Sequence, residues 1–299
     1  MTEPIVTTSA DFRSGKGSHD ENFPVASVLV RKRHRPAVLA FYEFVRVADD
    51  IADHVSMSAQ DKLARLDNLE GTLTGRNDDE PQGVALRTVL RERSLSPIHA
   101  QHLLHAFRQD VTKLRYTDWD DLIEYCRFSA MPVGRFVCDV HGEPQSVWPA
   151  NDALCAALQV INHIQDCAKD YCDLDRVYIP QDALAADGLD VTALGEAKAS
   201  PALRDCLRGL VERTAQLLEE SRPFALQIAD SRLAAEVAAI QMLAERLIEV
   251  LRVRDPLSEK VHLSKPAMLG VAFKGVAWSA TRRLFGGATP SVHAPARGS

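Results

Sequence analysis

Several common features are missing from this sequence. Its 299 residues contain no uninterrupted apolar run of about 18, so no segment is expected to span a bilayer. Alternating apolar and polar segments are nearly absent. The one strand-like candidate, Arg176-Val177-Tyr178-Ile179, is short. Positive charge is not in excess: 35 Lys and Arg against 41 Asp and Glu give a net charge of −6, which argues against nucleic acid as a partner. The six cysteines (Cys126, Cys138, Cys155, Cys167, Cys172, Cys206) form no C-x-x-C pair, and no secretory leader pattern opens the sequence. They are expected to be reduced thiols in a cytoplasmic protein. No internal repeat or low-complexity linker divides the chain.

What remains is helical periodicity. The pattern predicts helices near 36–55, 59–73, 84–95, 97–114, 118–141, 151–171, 201–228, 231–254 and 264–285, with breaks at turn-rich stretches such as 75–83, 144–149 and 180–200. The expectation is one all-α domain over 19–285, between a flexible arm (1–18) and a disordered tail (286–299).

Two of these helices carry paired carboxylates. In the first, Leu39, Tyr42, Arg46, Asp49 and Asp53 recur at steps of 3 and 4 and share one stripe. Asp50 lies about 100° around the helix from Asp49 and is expected to face elsewhere. The string can therefore be read as D-D-x-x-D or D-x-x-x-D, and periodicity favours the second. In the second helix, Gln159, Asn162, Asp166 and Asp170 share a stripe beside Leu154, Leu158, Ile161 and Ile164. Carboxylates at i and i+4 repel each other, so two such pairs call for a compensating cation. An oxygen-only donor set with one amide suits Mg²⁺ shared with a diphosphate. Either pair alone would pass for a solvated helix face. Together, in company with Tyr42, Arg46, Gln159 and Asn162, they favour a site.

The pattern Tyr42-x-x-x-Arg46-x-x-Asp49-x-x-x-Asp53 followed by Gln159-x-x-Asn162-x-x-x-Asp166-x-x-x-Asp170 resembles the squalene and phytoene synthases. Further matches are His19 to Phe23 (HDENF), Tyr125-Cys126 before Val133-Gly134, and Arg176-Val177-Tyr178, together covering roughly 15–285. The stretches SGKGSHDENFPVAS and SAMPVG look most like the family's hydroxysqualene synthase branch. The resemblance implies a helical bundle of the isoprenoid synthase type with a central cavity. It also implies Mg²⁺-dependent ionisation of presqualene diphosphate, carbocation rearrangement and capture by water, without nicotinamide. One departure bears on this: the family commonly has arginine before the aspartate of the second motif, and here Gln165 stands there. One fixed charge fewer beside a diphosphate site favours chemistry on one diphosphate over two.

The same resemblance implies metal ligation by Asp49, Asp53, Asn162, Asp166 and Asp170. It implies substrate contacts from His19, Phe23, Arg46, Tyr125, Gln159, Asn162 and Arg176. Tyr42, Gln165 and Tyr178 would act beside Asp49, Asp53 and Asp166 in catalysis, with Tyr178 as a hydroxyl donor. Phe23, Tyr42, Phe128 and Phe136 are candidates to face a cation, the last two being as well explained by core packing. His19, Tyr125, Gln159 and Gln165 are candidates to hold the capturing water. His163 points off the acidic stripe and is expected to be a packing or surface residue. The helix at 264–285 mixes apolar residues with Lys265, Lys274, Arg282 and Arg283, and could lie on an anionic membrane or dock on the bundle. Pathway neighbours are possible partners. The rival activities are squalene synthase with NADPH, where the absence of G-x-G-x-x-G says little, and presqualene diphosphate synthase using farnesyl diphosphate. A non-catalytic helical assembly factor would have no reason to keep both acidic stripes.

Overall fold

The computed structural model describes residues 30–285. The expected arm (1–18), His19, Phe23 and the expected tail (286–299) lie outside the described residues. Among those described, the α-helices are α1 (Arg35–Ala52), α2 (Ala59–Thr74), α3 (Pro81–Glu92), α4 (Ile98–Thr112), α5 (Trp119–Ser129), α6 (Met131–His141), α7 (Trp148–Gln165), α8 (Cys167–Leu174), α9 (Gln181–Ala186), α10 (Pro201–Ser221), α11 (Phe224–Gln227), α12 (Ser231–Leu251) and α13 (Lys265–Phe285). The strand-like 176–179 makes one isolated parallel bridge, Val177 with Arg115.

Local chemistry sets the helix ends. Ser58, Asp118, Ser200 and Asp230 accept backbone N–H bonds at the starts of α2, α5, α10 and α12. Gly75 and Gly142, at φ of 85° and 75°, close α2 and α6 in the left-handed conformation that glycine adopts without strain. Three expected helices are broken. The 118–141 segment divides at Ala130 because Pro132 has no N–H to give to the preceding turn, and 201–228 divides before Pro223 for the same reason. The 151–171 segment begins earlier, at Trp148, and bends at Asp166 (φ −103°, ψ 8°). Asp170 N–H still bonds the Asp166 carbonyl at 2.8 Å, so the two acidic side chains keep their one-turn spacing.

Two apolar clusters hold the bundle. One surrounds α1 with Phe44, Ile51, Leu66, Leu86, Leu104 and Phe136; the other surrounds α7 with Leu154, Ile161, Ile164, Leu203 and Leu247. Each such buried side chain contributes about 1.5–3 kcal/mol. That exceeds the few tenths of a kcal/mol by which an exposed i,i+4 carboxylate pair destabilises a helix, so packing holds both acidic helices in place. Helix α6 joins the clusters. A Cβ on Gly134 would fall 2.0 Å from Asn151 Oδ1 and 2.7 Å from Cys155 Sγ, so this glycine serves the close approach of α6 to α7.

Candidate active site

Helices α1 and α7 share a plan, with apolar cavity-lining residues along their length and carboxylates where they end. Val38, Phe41, Tyr42 and Val45 of α1 and Leu154, Cys155 and Leu158 of α7 line a cavity of about 310 Å³, closed further by Phe136, Val137, Val237 and Ile240. Phe136 stacks on Phe41 at 3.9 Å between ring centroids. Among the described residues, Glu236 is the single carboxylate in that lining. Of the aromatic candidates, Tyr42 and Phe136 reach the cavity, whereas Phe128 packs against His102 and His105.

Beyond the apolar chamber, Asp53 terminates α1 and Asp166 terminates α7. Asp53 therefore sits where the helix dipole is already negative, with no basic residue in the last turn of α1, whereas Asp166 also caps the start of α8. His163, in the last turn of α7, is held neutral because burial pushes its imidazole down to about 3. The crowding shows in the carboxylates. Burial first, and then repulsion from Asp53, lift Asp49 to about 7 against the pull of Arg46, although 36% of its side-chain surface stays accessible. Burial and then Asp166 lift Asp170 to about 7, with Asp53 adding to the rise and Arg176 opposing it. Asp53 thus acts on both Asp49 and Asp170, which puts the two acidic motifs within electrostatic reach of each other.

Two arginines organise this end. Arg46 forks between Asp49 Oδ2 at 2.8 Å and Asp50 Oδ1 at 2.9 Å. Asp50 is buried, so it points inward and shares the guanidinium that serves Asp49. Arg176 ties the motifs together: its backbone N–H donates to the Asp170 carbonyl at 3.0 Å and its Nη1 to Asp53 Oδ1 at 2.9 Å. Gln159, Asn162 and Asp166 are half-buried along one side of α7 and its C-terminal end.

Gln165 turns the other way. It is buried, and its amide nitrogen donates to the Val261 carbonyl. Tyr125 and Tyr178 are buried behind Arg176, and both donate to a residue that periodicity does not single out, Asp110 of α4. The Tyr178 hydroxyl proton therefore goes to Asp110 and not toward the acidic helices. Burial lifts Asp110 to about 6, while Arg176 and the two tyrosine bonds pull it down. His163 is also buried, stacked on Tyr178 at 3.6 Å, a packing position. Among the described residues no three His, Cys, Asp or Glu side chains converge around one point. The donor set still fits a hard divalent cation. Carboxylates raised by burial and then by their acidic neighbours, at the end of α1 and where α7 passes into α8, are stabilised by such an ion, and Mg²⁺ takes few protein ligands, completing its shell with water and phosphate oxygens.

The model of the squalene/phytoene synthase family matches residues 17–267. A hydroxysqualene synthase of Rhodopseudomonas palustris is 53% identical over 97% of this chain and 99% of its own length. One of Sinorhizobium fredii is 49% identical over 95% and 97%. The crystal structure of squalene synthase HpnC from Alicyclobacillus acidocaldarius, 30% identical, superposes with a TM-score of 0.70 over 82% of this chain and 91% of that one.

Proposed function

The chain belongs to the squalene/phytoene synthase family, and from that premise we propose that it is a hydroxysqualene synthase. In this reading it ionises presqualene diphosphate, lets the cation rearrange in an apolar cavity, and admits water to give hydroxysqualene and diphosphate. The observation that carries it is the junction of an apolar chamber with two acidic helix termini, in a chain about half identical to two hydroxysqualene synthases over nearly full length.

Asp49, Asp53, Asn162, Asp166 and Asp170 would hold Mg²⁺, whose chemistry is Lewis-acid neutralisation of the leaving diphosphate. Arg46 and Arg176, already oriented by Asp49, Asp50 and Asp53, supply charge-assisted donors to the phosphate oxygens at the same end. The hydrocarbon lies toward Val38, Leu154 and Leu158. There Tyr42 and Phe136 turn ring surface to the cation, and the apolar walls keep stray water out. Gln165 contributes no charge beside Asp166 and is held on Val261, which supports a site for one diphosphate.

Peripheral membrane contact through α13 is a further part of the proposal. No helix among the described residues is long and apolar enough to cross a membrane. On α13, Leu269 and Phe273 stand one turn apart and are 72% and 74% exposed, next to exposed Lys274. The Leu269→Glu/Phe273→Glu variant is expected to lose co-flotation with anionic liposomes while keeping turnover of detergent-dispersed substrate. Unchanged flotation rules that surface out.

The activity is tested by incubating the protein with Mg²⁺ and either presqualene diphosphate or farnesyl diphosphate, each with and without NADPH. Hydroxysqualene from the former without nicotinamide supports the reading. Squalene formed only with NADPH overturns it.

A further inference from the structure

Arg176 ties the two acidic motifs together, and the turn that aims it is an uncommon one. Helix α8 ends at Leu174, and Asp175 follows at φ 50° and ψ 32°, in the left-handed region. Among the described residues, Ser94 is the only other non-glycine with a positive φ. Helices more often take glycine at this position, where a side chain crowds the backbone. The turn sends the Arg176 N–H back to the Asp170 carbonyl at 3.0 Å, which closes α8. The Arg176 guanidinium then meets Asp53 Oδ1 at 2.9 Å and the Asp110 carbonyl at 3.1 Å.

Arg115 holds this turn from a segment 60 residues earlier, between α4 and α5. Its Nη2 donates to Asp175 Oδ1 and its Nη1 to the Asp175 backbone carbonyl. The same Nη1 donates to the Leu114 carbonyl at 2.9 Å, so one guanidinium joins the two segments. Backbone contact continues alongside, with the Val177 N–H on the Leu114 carbonyl at 2.9 Å in the parallel bridge of Arg115 with Val177. The residues on both sides of Arg176 are thus fixed. Asp175 keeps 67% of its side-chain surface exposed, so as a plain surface ion pair the contact would stabilise the fold little. Its consequence lies in the conformation that it selects.

We propose that Arg115 is a positioning residue for the diphosphate end: by holding Asp175 in the left-handed conformation, it sets the turn from which Arg176 reaches Asp53 and a phosphate. The inference rests on the site proposed above. Without the fork, the turn divides its time among other backbone conformations, and only the fraction that presents Arg176 correctly binds diphosphate. Apparent affinity falls by that fraction.

The test is the Kd of inorganic diphosphate in Mg²⁺, measured by titration calorimetry on the full chain. Arg115→Met is expected to weaken binding about fivefold, equivalent to about 1 kcal/mol. Glycine takes the left-handed conformation without help, so Arg115→Met/Asp175→Gly is expected to bind within about twofold of wild type. A plain loss of charge or of folding would not be undone by glycine at 175. In an Arg176→Met background, Arg115→Met should weaken binding no further. Unchanged binding in Arg115→Met, no recovery with Asp175→Gly, or an additive loss in the Arg176→Met background overturns the proposal. If Arg115→Met does not fold, Asp175→Val, whose branched side chain resists a positive φ, must show the same loss. Wild-type binding in that variant is equally decisive. A wild type that binds diphosphate but makes no hydroxysqualene contradicts the activity alone, and hydroxysqualene formation with Arg115→Met unaffected contradicts this proposal alone. A wild type that binds no diphosphate overturns both.

Discussion

At the scale of residues, the acidic side chains conflict with the fold that carries them. Asp49 and Asp170 are raised to about 7 by burial and by neighbouring carboxylates. A carboxyl raised in the folded state contributes stability that is fully present below its unfolded value near 4 and lost as pH rises through about 7. Ionised Asp49 therefore destabilises the metal-free protein at pH 8. Asp49→Asn is expected to melt at a higher temperature than wild type in chelator at pH 8, and to lose at least about 100-fold in diphosphate release with Mg²⁺. A lower melting temperature or retained turnover would count against its assignment. Asp49, Asp53, Asp166 and Asp170 were legible in the sequence because each pair is local and repeats with the helix period. Asp110 was not, since its hydroxyl partners lie 15 and 68 residues away and no local spacing marks it. The turn of Gln165 toward Val261, 96 residues on, was hidden for the same reason.

At the scale of elements, the helices followed from periodicity while their interruptions depended on single residues. Pro132 and Pro223 are visible punctuation that the long apolar patterns around them concealed. The bend at Asp166 has no such mark. Gly134 likewise acts through a single position, since its contact with Asn151 brings α6 against α7. A parallel case closes the bundle at α13, where a Cβ on Gly275 would meet Ala239 Cα at 2.6 Å and the Ala238 carbonyl oxygen at 2.7 Å. Backbone atoms cannot swing aside as a side chain can. Gly275→Ala is therefore expected to loosen α13 from α12 and to cost about 1–3 kcal/mol in chemical denaturation. A variant as stable as wild type would show that α13 does not depend on that contact.

At the scale of the whole molecule, charge and apolar surface are segregated along α1 and α7. The length of each helix lines the hydrocarbon chamber and its end concentrates negative potential. That polarity links cation binding to pH. In the proposed site Mg²⁺ would compete with protons on Asp49 and Asp170, so its effect is expected to grow as pH rises through about 7. The rise in melting temperature on adding Mg²⁺ is expected to be larger at pH 8 than at pH 5.5, and an equal rise at both would exclude these carboxylates as the binding groups. The central claim, that the site captures a rearranged cation with water and not with hydride, is tested most directly by turnover in water enriched in heavy oxygen. With presqualene diphosphate, Mg²⁺ and no nicotinamide, the account predicts hydroxysqualene bearing the heavy label in its hydroxyl group. An unlabelled product, or squalene appearing only when NADPH is added, would contradict it.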